Sequence, residues 1–278
     1  MPRARAGWLQ HPLTRGLDLD APGTTILRRQ IIRDKGFLRC IYREWYARLA
    51  TALPAGEGVV LELGSGAGFL REVLPAVVAS DVLRLPGLAL VAAGDRLPFG
   101  DGALRAIVMT NVFHHLRDAG GFLREAARAV RAGGRLVMVE PWNTGWARFV
   151  YRHAHHEPFE PAGDWTLAAA EGRGPLTAAN GALPWIVFAR DRARLAAELP
   201  AWRIVSVAPT MPLAYLFSGG VSLRLGAPAA AYPLVRWVES LLPQRWCAMF
   251  ALIVIERAAE SRMEDRANLS PRRGSPPA

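Results

Sequence analysis

Between Gly58 and Pro141, short unbroken apolar runs alternate with stretches whose apolar residues recur every three or four positions. The runs "VVLEL", "AVVAS", "LALVAA", "LRAIVMTNV" and "RLVMVEP" are predicted to be strands buried on both faces. The periodic stretches "GFLREVLP", stopped by Pro75, and "GGFLREAARAVRAGG", with Gly133 and Gly134 at its exit, are predicted to be helices. Such alternation implies a parallel sheet with right-handed crossovers. Upstream, residues 26–53 carry Ile31, Ile32, Leu38, Ile41, Tyr42, Trp45 and Leu49 near a 3.6 period with basic residues between. This pattern describes a helix packed on a core or an arm lying over a cleft. Downstream the rhythm breaks at about 142–188, resumes with "RDRARLAAELP" and "WRIVSVAP", breaks again at about 210–246, and closes on the strand "CAMFALIVIER". Residues 1–57 thus read as a helical arm, 58–258 as the main domain with two insertions, and 259–278 as a polar, disordered tail.

The 278 residues carry a formal net charge of +10, which raises the question of nucleic acid. Lys35 is the only lysine, and the arginines are scattered through every element rather than gathered into an aromatic-interleaved stripe, so no nucleic-acid partner is expected. Cys40 and Cys247 lack metal-ligand spacing and fit packing roles in a reduced compartment. The basic start of the chain lacks the apolar core of a signal peptide, and the uncharged stretch from Ile204 to Leu223 is interrupted by Pro209, Pro212, Gly219 and Gly220. Cytoplasmic location is the resulting expectation.

The chemistry begins where the first strand ends, in "LELGSGAGFL". Glycines after a strand bring backbone close to a ligand and permit positive φ. Read from Gly64, the dinucleotide fingerprint would need a glycine where Phe69 stands, and no G-K-[ST] follows for a P-loop. Glu62, two residues before Gly64, would repel a pyrophosphate but suits a cationic, phosphate-free ligand such as S-adenosylmethionine. Asp81, 19 residues after Glu62, stands where a ribose acceptor belongs, and Asp95 follows the third strand, placed to accept from an adenine amino group. Three carboxyls at three successive strand ends make coincidence a poor explanation.

These residues resemble the class I S-adenosylmethionine-dependent methyltransferases, in particular the group that includes the ubiquinone and menaquinone methyltransferases. The resemblance runs from about Val59 to Pro141 through "VLELGSGAGFL", Asp81, "GDRLPFGDGALRAIVMTNVFHHL" and "FLREAARAVRAGGRLVMVEP". It implies an α/β, Rossmann-like fold with a mostly parallel seven-stranded sheet, helices on both faces and two insertions. It further implies that Glu62, Gly64, Ser65, Gly66 and Gly68 adjoin the methionine portion of S-adenosylmethionine. Asp81 would hold the ribose, Asp95 with Arg96 would frame the adenine, and Asn111 would line the floor. The alternatives of a nicotinamide-dependent oxidoreductase and of a non-catalytic cofactor-binding module share the fold.

Methyl transfer from a sulfonium needs alignment more than a catalytic group. Candidates to contact the acceptor or act as a base are His115, His156 and Glu157, with Glu140 and Trp142 just after the fifth strand. The tract "RHAHHEPFEP" invites a metal, but its spacing does not match H-E-x-x-H, and Pro158 and Pro161 argue against ligands on one helix face, so no metal is expected. "ANGALPWIVFARDR" and "PLAYLFSGGVSL" are apolar for connecting segments. They are expected either to cover the cleft as a lid or to present an exposed patch to lipid or a partner, in which case a lipid-linked or amphiphilic acceptor and peripheral membrane contact would follow. The acceptor in general is expected to be a small molecule, a saccharide or lipid-linked.

Overall fold

The computed structural model describes residues 16–66, 68–154, 157–167 and 174–259. The strands β1 (Val59–Leu63), β2 (Val78–Asp81), β3 (Leu90–Val91), β4 (Leu104–Thr110), β5 (Val130–Pro141), β6 (Trp202–Thr210) and β7 (Phe250–Arg257) form one seven-stranded sheet in the order β3-β2-β1-β4-β5-β7-β6. All neighbours are parallel except β7, which runs antiparallel between β5 and β6. The chain winds outward from β1 in both directions, so a crevice opens beyond the carboxyl ends of β1 and β4, where ligands of open α/β sheets sit. The mostly parallel sheet expected from the sequence is present.

The helices are α1 (Pro22–Asp34), α2 (Gly36–Thr51), α3 (Ala119–Ala129), α4 (Gly145–Ala154), α5 (Leu183–Trp185), α6 (Arg192–Glu198), α7 (Ala214–Ser218), α8 (Tyr232–Ser240) and α9 (Gln244–Cys247). α3 starts where Asp118 accepts from the Gly121 N–H at 2.8 Å, satisfying one of the donors that a helix start leaves open.

Residues 26–53 are two helices rather than one. Lys35 takes an extended conformation, with φ −85° and ψ 91°, and its Nζ donates to the carbonyls of Gly220 at 2.7 Å and Leu223 at 3.2 Å. A tertiary tether far along the chain overrides the local helical period there. α2 buries Phe37, Leu38, Ile41, Trp45, Tyr46 and Leu49, so this arm is part of the central core rather than an appendage.

Three further expectations are corrected. The helix after the glycine loop is only a 3-10 turn over Leu70–Glu72, because Pro75 follows too soon for a full helix. The third strand is two residues long. Gly133 and Gly134 belong to β5, which begins at Val130 directly after α3, rather than to a separate helix exit. The tail from 260 onward lies outside the described residues. Among the described residues, no helix is long and apolar enough to cross a membrane.

Candidate active site

A cavity of about 570 Å³ lies over the crevice. Five strands contribute to it: Glu62 and Leu63 end β1 with Gly64 just after, Asp81 ends β2, Thr110 ends β4 with Asn111 just after, Pro141 ends β5 and Phe250 begins β7. The pairing of Pro141 with Phe250 across β5 and β7 brings that aromatic ring to the same edge.

Glu62 is 4 % exposed, and its Oε2 accepts from Ser65 Oγ at 2.7 Å. Burial pushes its carboxyl up to about 7; the Ser65 hydrogen bond and the Arg71 charge oppose this and the nearby Asp81 adds to it. Gly64 has φ +76°, and a Cβ there would lie 2.3 Å from Val112 Cγ2, so only glycine fits. Asp81 Oδ1 accepts from the Leu83 N–H at 3.0 Å. Burial raises the Asp81 carboxyl above its ordinary value, with hydrogen bonds from the Leu83, Val82 and Gly66 backbone working against that rise. Asn111 has φ +56° in the left-handed region, and its Oδ1 is buried with no hydrogen-bond partner among the described residues. Thr25 Oγ1, on α1, is likewise buried without a partner among them. Two orphaned acceptors facing a cavity with two carboxylates describe a place for a ligand rich in donors and positive charge.

The residues expected to bind cofactor divide. Glu62, Gly64, Gly66, Asp81, Asp95 and Asn111 line the cavity, Asp95 from an exposed position at its rim. Ser65, Gly68 and Arg96 do not line it. Ser65 holds Glu62 from behind, and its own N–H reaches Ser80 O at 2.8 Å. Gly68 gives its carbonyl to Arg29 Nη2 at 3.0 Å, and a Cβ there would press within 2.6 Å of that guanidinium. The glycine loop is thereby tied to α1, whose Thr25, Arg28 and Ile32 roof the cavity. Within residues 26–53, α1 thus lies over the cleft while α2 packs in the core.

The opposite end of the cavity is built from the turn after β4 and the first insertion. His114 is buried, with Nδ1 2.7 Å from Glu140 Oε2 and Nε2 3.4 Å from Glu157 Oε2. Burial alone would lower its basicity, but the hydrogen bonds to Glu140 and Glu157 prevail and raise it to about 10, so this imidazole is cationic. His115 beside it is lowered to about 3, by burial first and then by the His114 charge. Its Nδ1 donates to Ala178 O at 3.1 Å, and its Nε2 is 4.0 Å from Glu157 Oε1.

Glu140 and Trp142 do not line the cavity. Glu140 is fully enclosed, and its Oε1 takes the Val112 and Phe113 N–H groups at 2.8 Å each, which fixes the turn carrying both histidines. Trp142 is buried in the core. Of "RHAHHEPFEP", Glu157 reaches the cavity, His153 and Glu160 are exposed, and His155 and His156 lie outside the described residues. One ligand atom each from His114, His115 and Glu157 lie within 4.8 Å of one another, a grouping drawn from two separate segments of the chain.

Sequence reasoning missed the aromatic wall formed by Tyr42, Tyr46, Tyr151, Tyr215 and Phe250. Burial raises the phenols of all four tyrosines, Tyr42 to about 12, so they face a ligand as neutral hydroxyls. "ANGALPWIVFARDR" is largely core, with Leu183, Ile186, Val187 and Phe188 buried. "PLAYLFSGGVSL" is divided, since Tyr215, Val221 and Ser222 line the cavity while Phe217 is half exposed.

Comparison with known proteins places this geometry. Residues 61–138 match the family described as "Methyltransferase domain". Demethylmenaquinone methyltransferase of Beutenbergia cavernae is 35% identical over 38% of this chain and 51% of its own length. The Mycolicibacterium vanbaalenii protein of that name is 40% identical over 32% of this chain and 40% of its own. The chain therefore spans about half or less of the curated relatives it matches. Among solved structures, geranyl diphosphate C-methyltransferase from Streptomyces coelicolor is 13% identical, with a TM-score of 0.49 over 90% of this chain and 87% of that one. The matched segment runs from β1 into β5, with carboxylates at its strand ends, so residues 61–138 are similar to a methyltransferase domain set in a Rossmann-like sheet of the class I type.

Proposed function

We propose that the protein transfers a methyl group from S-adenosylmethionine to a small amphiphilic acceptor that it meets at a membrane surface. The observation that carries this reading is one continuous cavity with two chemically different ends. Glu62, Asp81, Asn111 and Thr25 suit a cationic adenosyl ligand, while Tyr151, Tyr215, Phe250, His115 and Glu157 make an aromatic wall with polar groups set in it. The bound donor supplies an electrophilic methyl group and its own leaving group. Glu62 and Asn111 hold its amino-acid portion and Asp81 its ribose. The roof from α1 and the tyrosine wall exclude water, and alignment of this kind is worth up to ~7–11 kcal/mol. His115 and Glu157 face the acceptor's reacting atom. Because two relatives are named for demethylmenaquinone, a quinol with an apolar tail is the first acceptor to try.

The membrane side of this reading rests on the second insertion. Leu234, Trp237, Val238 and Leu241 recur along one side of α8 and are exposed, Trp237 by 61% and Leu241 by 67%. Trp246 on α9 is exposed by 64%, with the Arg245 guanidinium 5.4 Å from its ring centre. Exposed Trp and Leu beside arginine is the composition of a surface that lies in the headgroup region of a bilayer.

Donor binding should show a definite pH dependence. The Glu62 carboxyl is half protonated near pH 7 in the empty site, whereas a ligand ammonium beside it favours the carboxylate. Affinity for S-adenosylmethionine is therefore expected to fall about fivefold between about pH 7 and about pH 6, with proton release on binding. The empty protein behaves in the opposite sense. A carboxyl raised above its unfolded value of 4.5 gives stability that is complete below that value and lost as pH rises through about 7. Calorimetry in buffers of different ionisation enthalpy measures both the affinity and the proton count. Tight binding of NAD in place of S-adenosylmethionine would overturn the function proposed.

A further inference from the structure

We propose that His114, His115 and Glu157 form a binding site for a first-row divalent transition-metal ion at the wall of the cavity. The argument starts with the two imidazoles. His115 Nδ1 faces the Ala178 carbonyl, an acceptor only, at 3.1 Å, so that nitrogen carries the hydrogen and Nε2 keeps its lone pair. His114 Nδ1 faces Glu140 Oε2 at 2.7 Å, and Glu140 is itself fixed by the Val112 and Phe113 N–H groups. Metal-binding histidines are oriented in this manner, one ring nitrogen given to a carboxylate or backbone carbonyl and the other turned to the ion.

Both Nε2 atoms turn to the same carboxylate, His114 Nε2 at 3.4 Å and His115 Nε2 at 4.0 Å from its two oxygens. Ligands about 2.0–2.2 Å from a common ion stand roughly 3.0–3.5 Å apart. The first spacing fits as it stands, and the three ligand atoms, all within 4.8 Å of one another, close by about an ångström to share an ion. Ligation uses His114 Nε2 without a hydrogen, the Nδ1 hydrogen being kept on Glu140. Two nitrogens and one carboxylate suit Zn²⁺, Fe²⁺ or Co²⁺, whereas Mg²⁺ and Ca²⁺ prefer oxygen throughout. All three residues line the cavity, so the remaining coordination positions open onto the space where an acceptor oxygen would arrive. The ion site itself stands whether or not methyl transfer is the reaction.

The chain order conceals this site. His114 and His115 follow β4, and Glu157 belongs to the insertion after β5, so no compact ligand motif appears. The insertion packs on the turn through the Asn180 N–H on His114 O at 2.9 Å and the His115 ring on Ala178 O at 3.1 Å, and this joins them.

The test is titration of chelator-treated full-length protein with Co²⁺, read by its visible d–d absorption, with Zn²⁺ as competitor. One equivalent is expected to bind with a ligand-field spectrum, and Zn²⁺ is expected to displace it. His115→Ala and Glu157→Gln are each expected to weaken Co²⁺ binding by more than about tenfold while calorimetric binding of S-adenosylmethionine persists. Absence of a saturable spectrum in the wild-type protein overturns the site. So does Co²⁺ binding that Glu157→Gln leaves unchanged, since the ion would then be held by histidines elsewhere. Should His115→Ala lose donor binding through misfolding, the near-isosteric Glu157→Gln decides alone.

Discussion

Replacing Asp81 by alanine is expected to weaken S-adenosylmethionine binding about 100-fold, equivalent to one or two charge-assisted hydrogen bonds. The carboxylate stands at the end of β2, fastened by the Leu83 N–H, and turns the rest of its acceptor capacity towards the cavity. On the proposed function, removing it takes away the acceptor for vicinal hydroxyls without disturbing the core. Burial already disfavours its charge in the empty protein, so thermal stability should change little. Asp81→Asn, which keeps one carbonyl acceptor, should fall between the two. Isothermal calorimetry measures the series, and an Asp81→Ala protein that binds donor as tightly as wild type would remove the ribose from that carboxylate.

The second large effect concerns the face made by α8 and α9. The intact protein is expected to cosediment with vesicles containing phosphatidylglycerol, and a Trp237→Asp, Trp246→Asp double variant is expected to lose about 100-fold in partitioning. Burying a large apolar side chain is worth roughly 1.5–3 kcal/mol, so two tryptophans suffice for that loss. Because both side chains are more than half exposed, the fold should tolerate the exchange. Salt separates the causes: attraction by arginine alone disappears at about 0.5 M salt, whereas insertion of tryptophan persists and shifts its fluorescence to the blue. Wild-type protein that stays in the supernatant at low salt would exclude a bilayer as the occupant of this face.

What could be read from the chain was whatever local geometry dictates. An apolar run ending in Glu62, with Gly64 close behind, states that backbone must turn tightly beside something charged, and the structure has this arrangement. Asp81 and Asn111 were legible for a related reason, since a residue at a strand's carboxyl end has its place assigned by the sheet. Contacts across long intervals were not legible. Nothing in "NVFHH" reveals that Glu140 will lie under its histidines, or that Glu157 will close on them from an insertion. The break at Lys35 was hidden because its partners, the Gly220 and Leu223 carbonyls, carry no side-chain signal at all. The tyrosine wall escaped notice because aromatic residues at inward positions of α2 and α7 look the same whether they face packed core or open space.

Lys35 has one more implication. As the only lysine in the chain, it offers amine-directed reagents a single side-chain target, at the joint between the cavity's roof and the segment that leads into the apolar face. Desolvation brings its ammonium down to about 8, which leaves a useful share of nucleophilic amine near neutrality, yet its two carbonyl partners shield it while the joint is latched. Acylation speed at this one nitrogen thus acts as a clock for unlatching, obtained from the natural chain without introducing a label.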